Sequence, residues 1–296
     1  MKCPMNRFTS LLLPIDGSLE AAKSAGCALW LAKTLGATLH ILYVSAQPLA
    51  GSEALERLHA ADAQHAQVVL HQLSGNACAG VLEAIAAYNV NLVVMSARGE
   101  SASAGLKLSQ CLGTVAQAVI ERSPVPVLLL PVRYREVLPW TSMLVAASGE
   151  MASDSALEVA AQLAAALDVK ITVVHAEGAA GAAGAMSLDT YADAVHHEYP
   201  YRIQEMIERG LTACTPEECY CVDHVILRSG DPAVVLNEQV VRHAHSVLAL
   251  GWHGVLGAGR ALVLKRLLQE AKYALLLVRK AEGSSARLKV GNDFDA

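Results

Sequence analysis

Asp16 stands between Pro14-Ile15 and Gly17-Ser18 at the end of a short apolar run, where a carboxylate can accept hydrogen bonds from ribose hydroxyls. It could instead cap a helix over residues 19–35, a role that aspartate fills well. Further on, Ser96-Ala97-Arg98-Gly99 closes another apolar run, and Gly105 and Gly113-Thr114 follow. Glycine lets a backbone approach a ligand closely. The first amides of a helix are unpaired donors with a favourable dipole, which together suit a phosphate chain. Thr114 could add a hydroxyl. Equally, Gly99 could merely end a turn and Thr114 could cap its own helix, and glycine spacing alone leaves both readings open. Val44 ends a further apolar run and could pack against a base or belong to ordinary core.

A second group of reactive side chains comprises His196-His197, Cys214, Cys219, Cys221 and His224. Thiolates and imidazoles bind zinc, but Cys-x4-Cys-x-Cys-x2-His is not a standard structural spacing, so partly exposed thiols at a strand edge are expected instead of a metal. The seven cysteines form an odd set, mostly within apolar patterns, which argues against a disulfide framework. No P-loop, nucleophile elbow or HExxH motif occurs, no residue to orient water near Thr114 is identifiable, and no catalytic residue is expected.

The elements that carry these residues repeat. Ser10–Ser18 aligns with Ser142–Glu150 at an offset of 132 residues, while Gly75-Asn76-Ala77 matches Gly230-Asp231-Pro232 and Ala97-Arg98-Gly99 matches Trp252-His253-Gly254, both at 155. The chain is a tandem duplication whose second copy carries 23 extra residues (155 − 132) before that turn. In the first copy, runs of strand length at 11–15, 39–44, 67–72, 91–95 and 125–130 alternate with helical spacing at 19–35, 53–64, 77–88 and 114–122. The second copy repeats the strands near 143–147, 171–175, 223–227, 247–250 and 274–278. This order predicts an α/β fold of two tandem doubly wound five-stranded parallel sheets, strand order 3-2-1-4-5, with helices on both faces. Ligands of such sheets bind beyond the carboxyl ends of the strands, where the order reverses, here between strands one and four. Asp16 and the 96–99 loop converge there. The copies divide into 1–135 and 136–296, with an extra segment at about 178–222, a tail from about 281, and a linker near Pro131–Pro139.

At 296 residues the chain is long enough for two separate hydrophobic cores. A hydrophobic fraction of 53% with 17% charged residues excludes disorder, and 4% aromatics leave Ala, Val, Leu and Ile to build helices over buried sheets. No window is apolar enough for a membrane span and the N-terminal apolar run is too short for a signal peptide, so a cytoplasmic protein is expected. Residues 1–135 hold 10 Lys+Arg against 8 Asp+Glu, a net of +2, and the remainder holds 13 against 20, a net of −7. An anionic ligand should therefore prefer the first copy. A basic stripe with interleaved aromatics is lacking, which argues against nucleic acid as a partner.

Pro14-Ile15-Asp16-Gly17-Ser18, the Gly75-Asn76 and Gly230-Asp231-Pro232 turns, residues 92–99, and Gly113-Thr114 leading into Ser123-Pro-Val-Pro-Val-Leu-Leu-Leu130 together resemble a tandem universal stress protein over roughly 8–131 and 141–280. The resemblance implies a non-enzymatic regulatory or stress-response protein that takes ATP, ADP or AMP as cofactor, with magnesium as its companion ion. The alternative within the same family is an interaction scaffold that binds no nucleotide, with an unknown protein partner. The family's ATP-binding loop reads Gly-x2-Gly-x9-Gly-Ser/Thr; here it falls on Ser96, Gly99 and Gly113-Thr114 with thirteen residues in the last gap. The implied contacts are Pro14, Ile15, Asp16, Val44, Ser96, Arg98, Gly99, Gly113, Thr114 and Val115. In the second copy Pro14, Asp16 and Val44 become Ala146, Ser148 and Ala176, and Gly113-Thr114 becomes Ala261-Leu262, so that site reads as degenerate. The copies should pair as an intramolecular pseudo-dimer through strands 125–130 and 274–278, whose unpaired apolar edges invite pairing, and a homodimer is a further option.

Overall fold

The computed structural model describes residues 7–44, 67–99, 111–135, 137–177, 198–257 and 259–279. The expected helix at 53–64, Gly105, most of the loop at 100–112, His196-His197, the first half of the extra segment and the tail from about 281 lie outside the described residues.

The first half contributes β1 (Ser10–Ile15), α1 (Leu19–Leu35), β2 (Thr38–Val44), β3 (Gln67–Leu73), α2 (Ala77–Ala87), β4 (Leu92–Ser96), α3 (Thr114–Arg122) and β5 (Val127–Leu130). The second contributes β6 (Ser142–Ala147), α4 (Met151–Leu167), β7 (Lys170–Glu177), α5 (Glu198–Gly210), α6 (Pro216–Cys219), β8 (Val222–Ser229), α7 (Pro232–Arg242), β9 (Val247–Trp252), α8 (Leu262–Glu270) and β10 (Ala274–Arg279). Each half has the expected order 3-2-1-4-5, and the halves join edge to edge into one ten-stranded sheet, β3-β2-β1-β4-β5-β10-β9-β6-β7-β8. All neighbours are parallel except β5 and β10, which pair antiparallel with Leu276 opposite Leu128. These two leucines are equivalent positions of the duplication, 148 residues apart like Gly113 and Ala261, so each faces its own counterpart across a pseudo-two-fold axis.

That junction alters the expectation of two separate cores. Alternate residues of a strand face opposite sides of a sheet, and the buried side chains divide by face rather than by copy. Leu11, Leu13, Leu128, Val145 and Leu276 lie in one cluster, under α1, α4 and α5. Leu12, Leu129, Leu144, Leu248, Leu275 and Leu277 lie in the other, under α2, α3, α7 and α8. Both layers run continuously through the two halves. The 131–139 stretch is also more than a spacer: the Arg135 amide donates to the Lys272 carbonyl at 2.9 Å, and it leads into buried Trp140, whose ring meets Trp30 of α1 at 5.1 Å between centroids. Within the extra segment, α5 buries Ile203 and Met206 against the sheet layer under α4, and its Arg209 pairs with Asp154 of α4 at 2.5 Å.

Candidate functional site

β1 and β4 are neighbours whose following helices lie on opposite faces, so their carboxyl ends leave a crevice at the reversal point. A cavity of about 90 Å³ opens there, and all ten residues expected from the sequence line it. Pro14 and Ile15 close β1 and Asp16 follows at once; Val44 ends β2, Ser96 ends β4, and Arg98 and Gly99 form the turn beyond it. Gly113, Thr114 and Val115 supply the start of α3. A Cβ built on Gly99 would fall on the Asp16 carboxylate, so glycine is what lets the carboxylate and the loop come together. The Ser96 hydroxyl donates to the Arg98 carbonyl at 2.7 Å and shapes that turn.

Both capping alternatives are corrected by the geometry. Ser18, not Asp16, caps α1 by accepting from the Ala21 amide at 3.0 Å. Asp16 stands one step outside, where its Oδ1 accepts from the Ser18 amide at 3.0 Å and from the Ser18 hydroxyl at 2.6 Å. This fixes the carboxylate on the rim. For α3 the cap position is Gly113, which has no side chain to cap the helix, so Thr114 is the first helical residue and the first-turn amides receive no side-chain cap among the described residues. Val44 is half-buried, packs toward Gly80 of α2, and still borders the cavity. Sequence reasoning missed the apolar lining, among it Leu42, Val81 and Met95. The available signal was period-2 spacing: Leu42 lies two residues before Val44, on the same face of β2.

The equivalent crevice between β6 and β9 holds about 400 Å³. Its floor is apolar, with Ala146, Val174, Ala176, Leu236 and Leu250, and Ser148, Glu150, His253 and Arg260 stand around its mouth. Smaller side chains contribute to the difference in size, since Pro14, Leu42 and Val44 are matched here by Ala146, Val174 and Ala176. Glu150 and His253 bond across the mouth at 2.6 Å. The loop that includes His253 and Val255 is tied to the first half: the Leu256 amide donates to Glu121 Oε1 at 3.0 Å and the Arg279 guanidinium to the Glu121 carbonyl at 2.5 Å.

Among the described residues, no group of three His, Cys, Asp or Glu side chains is placed to hold a metal ion. Cys221 is buried and Cys214 half-buried; burial, followed by the Glu218 charge, pushes the Cys214 thiol up to about 12, and burial raises Cys221 as well. Such thiols are poor nucleophiles at neutral pH. No described helix is long and apolar enough to cross a membrane.

Comparison with known proteins agrees with this architecture. The model of the universal stress protein family matches residues 7–66, 45–131 and 139–279. A protein of Pseudomonas aeruginosa PAO1 described as functionally unknown superposes with a TM-score of 0.65 at 16% identity, covering 94% of this chain and 94% of its own. A universal stress protein of Archaeoglobus fulgidus DSM 4304 superposes with a TM-score of 0.61 at 19% identity, covering 92% and 99%. At these identities the structural likeness speaks for the fold alone. No curated sequence matches.

Proposed function

Because the chain belongs to the universal stress protein family, we propose that the cavity of its first half binds an adenine nucleotide and that the protein acts by regulation rather than catalysis. The observation that carries this reading is the convergence of all ten implied residues on one crevice, with the Asp16 carboxylate on one side and the uncapped start of α3 on the other. In this reading Asp16 accepts from the ribose hydroxyls, Leu42, Val44 and Val81 face the base, and the α3 amides with Thr114 receive phosphate oxygens. A space of about 90 Å³ is small beside ligand pockets of roughly 300–1,000 Å³. The phosphates therefore lie on the open rim, and magnesium arrives with them, since this ion usually keeps its waters and leans on phosphate oxygens. A cytoplasmic location and action through a protein partner belong to the same reading.

Competition among ATP, ADP, AMP and adenosine tests it by calorimetry on the full chain. Affinity should rise with each phosphate, because each adds acceptors for the α3 amides. Equal affinities for AMP and ATP would remove the phosphates from the site, and no binding by any of the four would favour the interaction scaffold.

A further inference from the structure

The cavity of the second half is the larger space, yet it lacks what a nucleotide asks of the first. Ser148 replaces the carboxylate that would accept from a ribose diol, and Glu150 brings negative charge to the mouth, where a polyphosphate would be repelled. What remains has a definite chemistry. Its deep end, Ala146, Val174, Ala176, Leu236 and Leu250, offers no charged group to a ligand, and its 400 Å³ lies within the range of small-molecule pockets. One cation, Arg260, lines the mouth and makes no ion pair among the described residues. Beside it stands Ala261, the residue that precedes α8, which has a positive φ of 51° and gives no side-chain cap, so the first amides of a nine-residue helix add donors next to that cation. Of the nine large hydrophobic residues that are exposed among the described residues, one, Val255, lines this cavity.

We infer that this cavity binds an amphiphilic anion, its apolar body between β6, β7 and α7 and its single acidic head at Arg260 and the first turn of α8. One cation and one helix start match one head group, and the Glu150–His253 pair turns away a second. The inference does not depend on nucleotide binding in the first half, which a separate ligand and a separate residue, Asp16, test.

Anilinonaphthalene sulfonate, an amphiphilic anion whose emission rises in apolar surroundings, serves as the probe on the full chain, with dodecanoate and ATP as competitors. One equivalent should bind saturably, be displaced by dodecanoate, and stay bound in ATP. Ala176→Phe, which fills the floor, should abolish the signal. Arg260→Glu, at an exposed position that leaves the fold intact, should weaken binding by at least about tenfold, the usual scale for losing a charge-assisted contact. If Ala176→Phe does not fold, Arg260→Glu decides alone. Affinity unchanged in Arg260→Glu, displacement by ATP as effective as by dodecanoate, or no saturable binding would each overturn the assignment.

Discussion

Asp16 and Ser148 end equivalent strands, and the exchange of a carboxylate for a hydroxyl separates the two halves chemically. Asp16→Ala should weaken adenine-nucleotide binding by on the order of 1–3 kcal/mol, since hydrogen bonds to a charged acceptor are lost, whereas Ser148→Ala should leave it unchanged; equal losses in calorimetry would contradict the assignment to the first half. A different single residue contributes to the acid sensitivity of the fold. Burial, and then the neighbouring His243, pushes His245 down from 6.5 to about 4, while its Nδ1 bonds the Ser142 hydroxyl at 2.8 Å and its buried Nε2 has no hydrogen-bond partner among the described residues. The folded pKa lies below the unfolded one, so the unfolded chain takes up the proton first as pH falls. The stabilisation is complete above about 6.5 and is lost on the way down to about 4, at most about 3 kcal/mol. Burial lowers His40 and His71 too, in the same direction. Melting temperatures measured across that window should fall toward acid, and His245→Asn should flatten the slope; an identical slope in the variant would exclude His245.

Among the elements, close approach decides which glycines matter. A Cβ on Gly251 of β9 would collide with the backbone of Ala152 in α4, so this strand end and helix start can touch only through glycine. Gly257, in the loop beside the same cavity, has only Val255 Cγ1 near, at 3.8 Å. Gly251→Ala should cost about 1–3 kcal/mol in urea unfolding, as overpacking does, and Gly257→Ala should stay within about 0.5 kcal/mol. Equal midpoints for the two variants would refute the contact. The helix α3 meanwhile serves both halves: its start lines the first cavity and its last turn, through Glu121, holds the loop of the second.

Over the whole molecule, the β5–β10 pairing turns two repeats into one body. Leu128 and Leu276 are fully buried at its centre, and both hydrophobic layers cross it. The halves should therefore unfold together. Calorimetry should give a single transition, with the tryptophan signals of a Trp252→Phe variant, which reports Trp30 and Trp140 at the first half and junction, following the same curve as wild type. Leu276→Ala should lower stability by about 2–5 kcal/mol without splitting the transition. Two resolved transitions in the unsubstituted chain would show that the halves fold independently.

The strand order and the duplication were legible in the sequence because they rest on local information, and the ten residues that line the first cavity were legible through the family resemblance that this local information carries. Period-2 apolar runs, a Pro-Ile-Asp-Gly-Ser strand end and a Gly-Thr pair before a helical pattern are written within a few residues of one another. Local spacing pointed to Asp16 as a possible cap of α1 and missed Ser18, because the cap turns on which side chain reaches the Ala21 amide. Nor could it show that both hydrophobic layers run unbroken through the two halves, since that depends on the register in which two edge strands 148 residues apart meet antiparallel. The sizes of the two cavities also belong to the tertiary structure. Ala146, Val174 and Ala176 look unremarkable in sequence, and only when β6 and β7 lie side by side under α7 do their missing methyl and methylene groups contribute to one space.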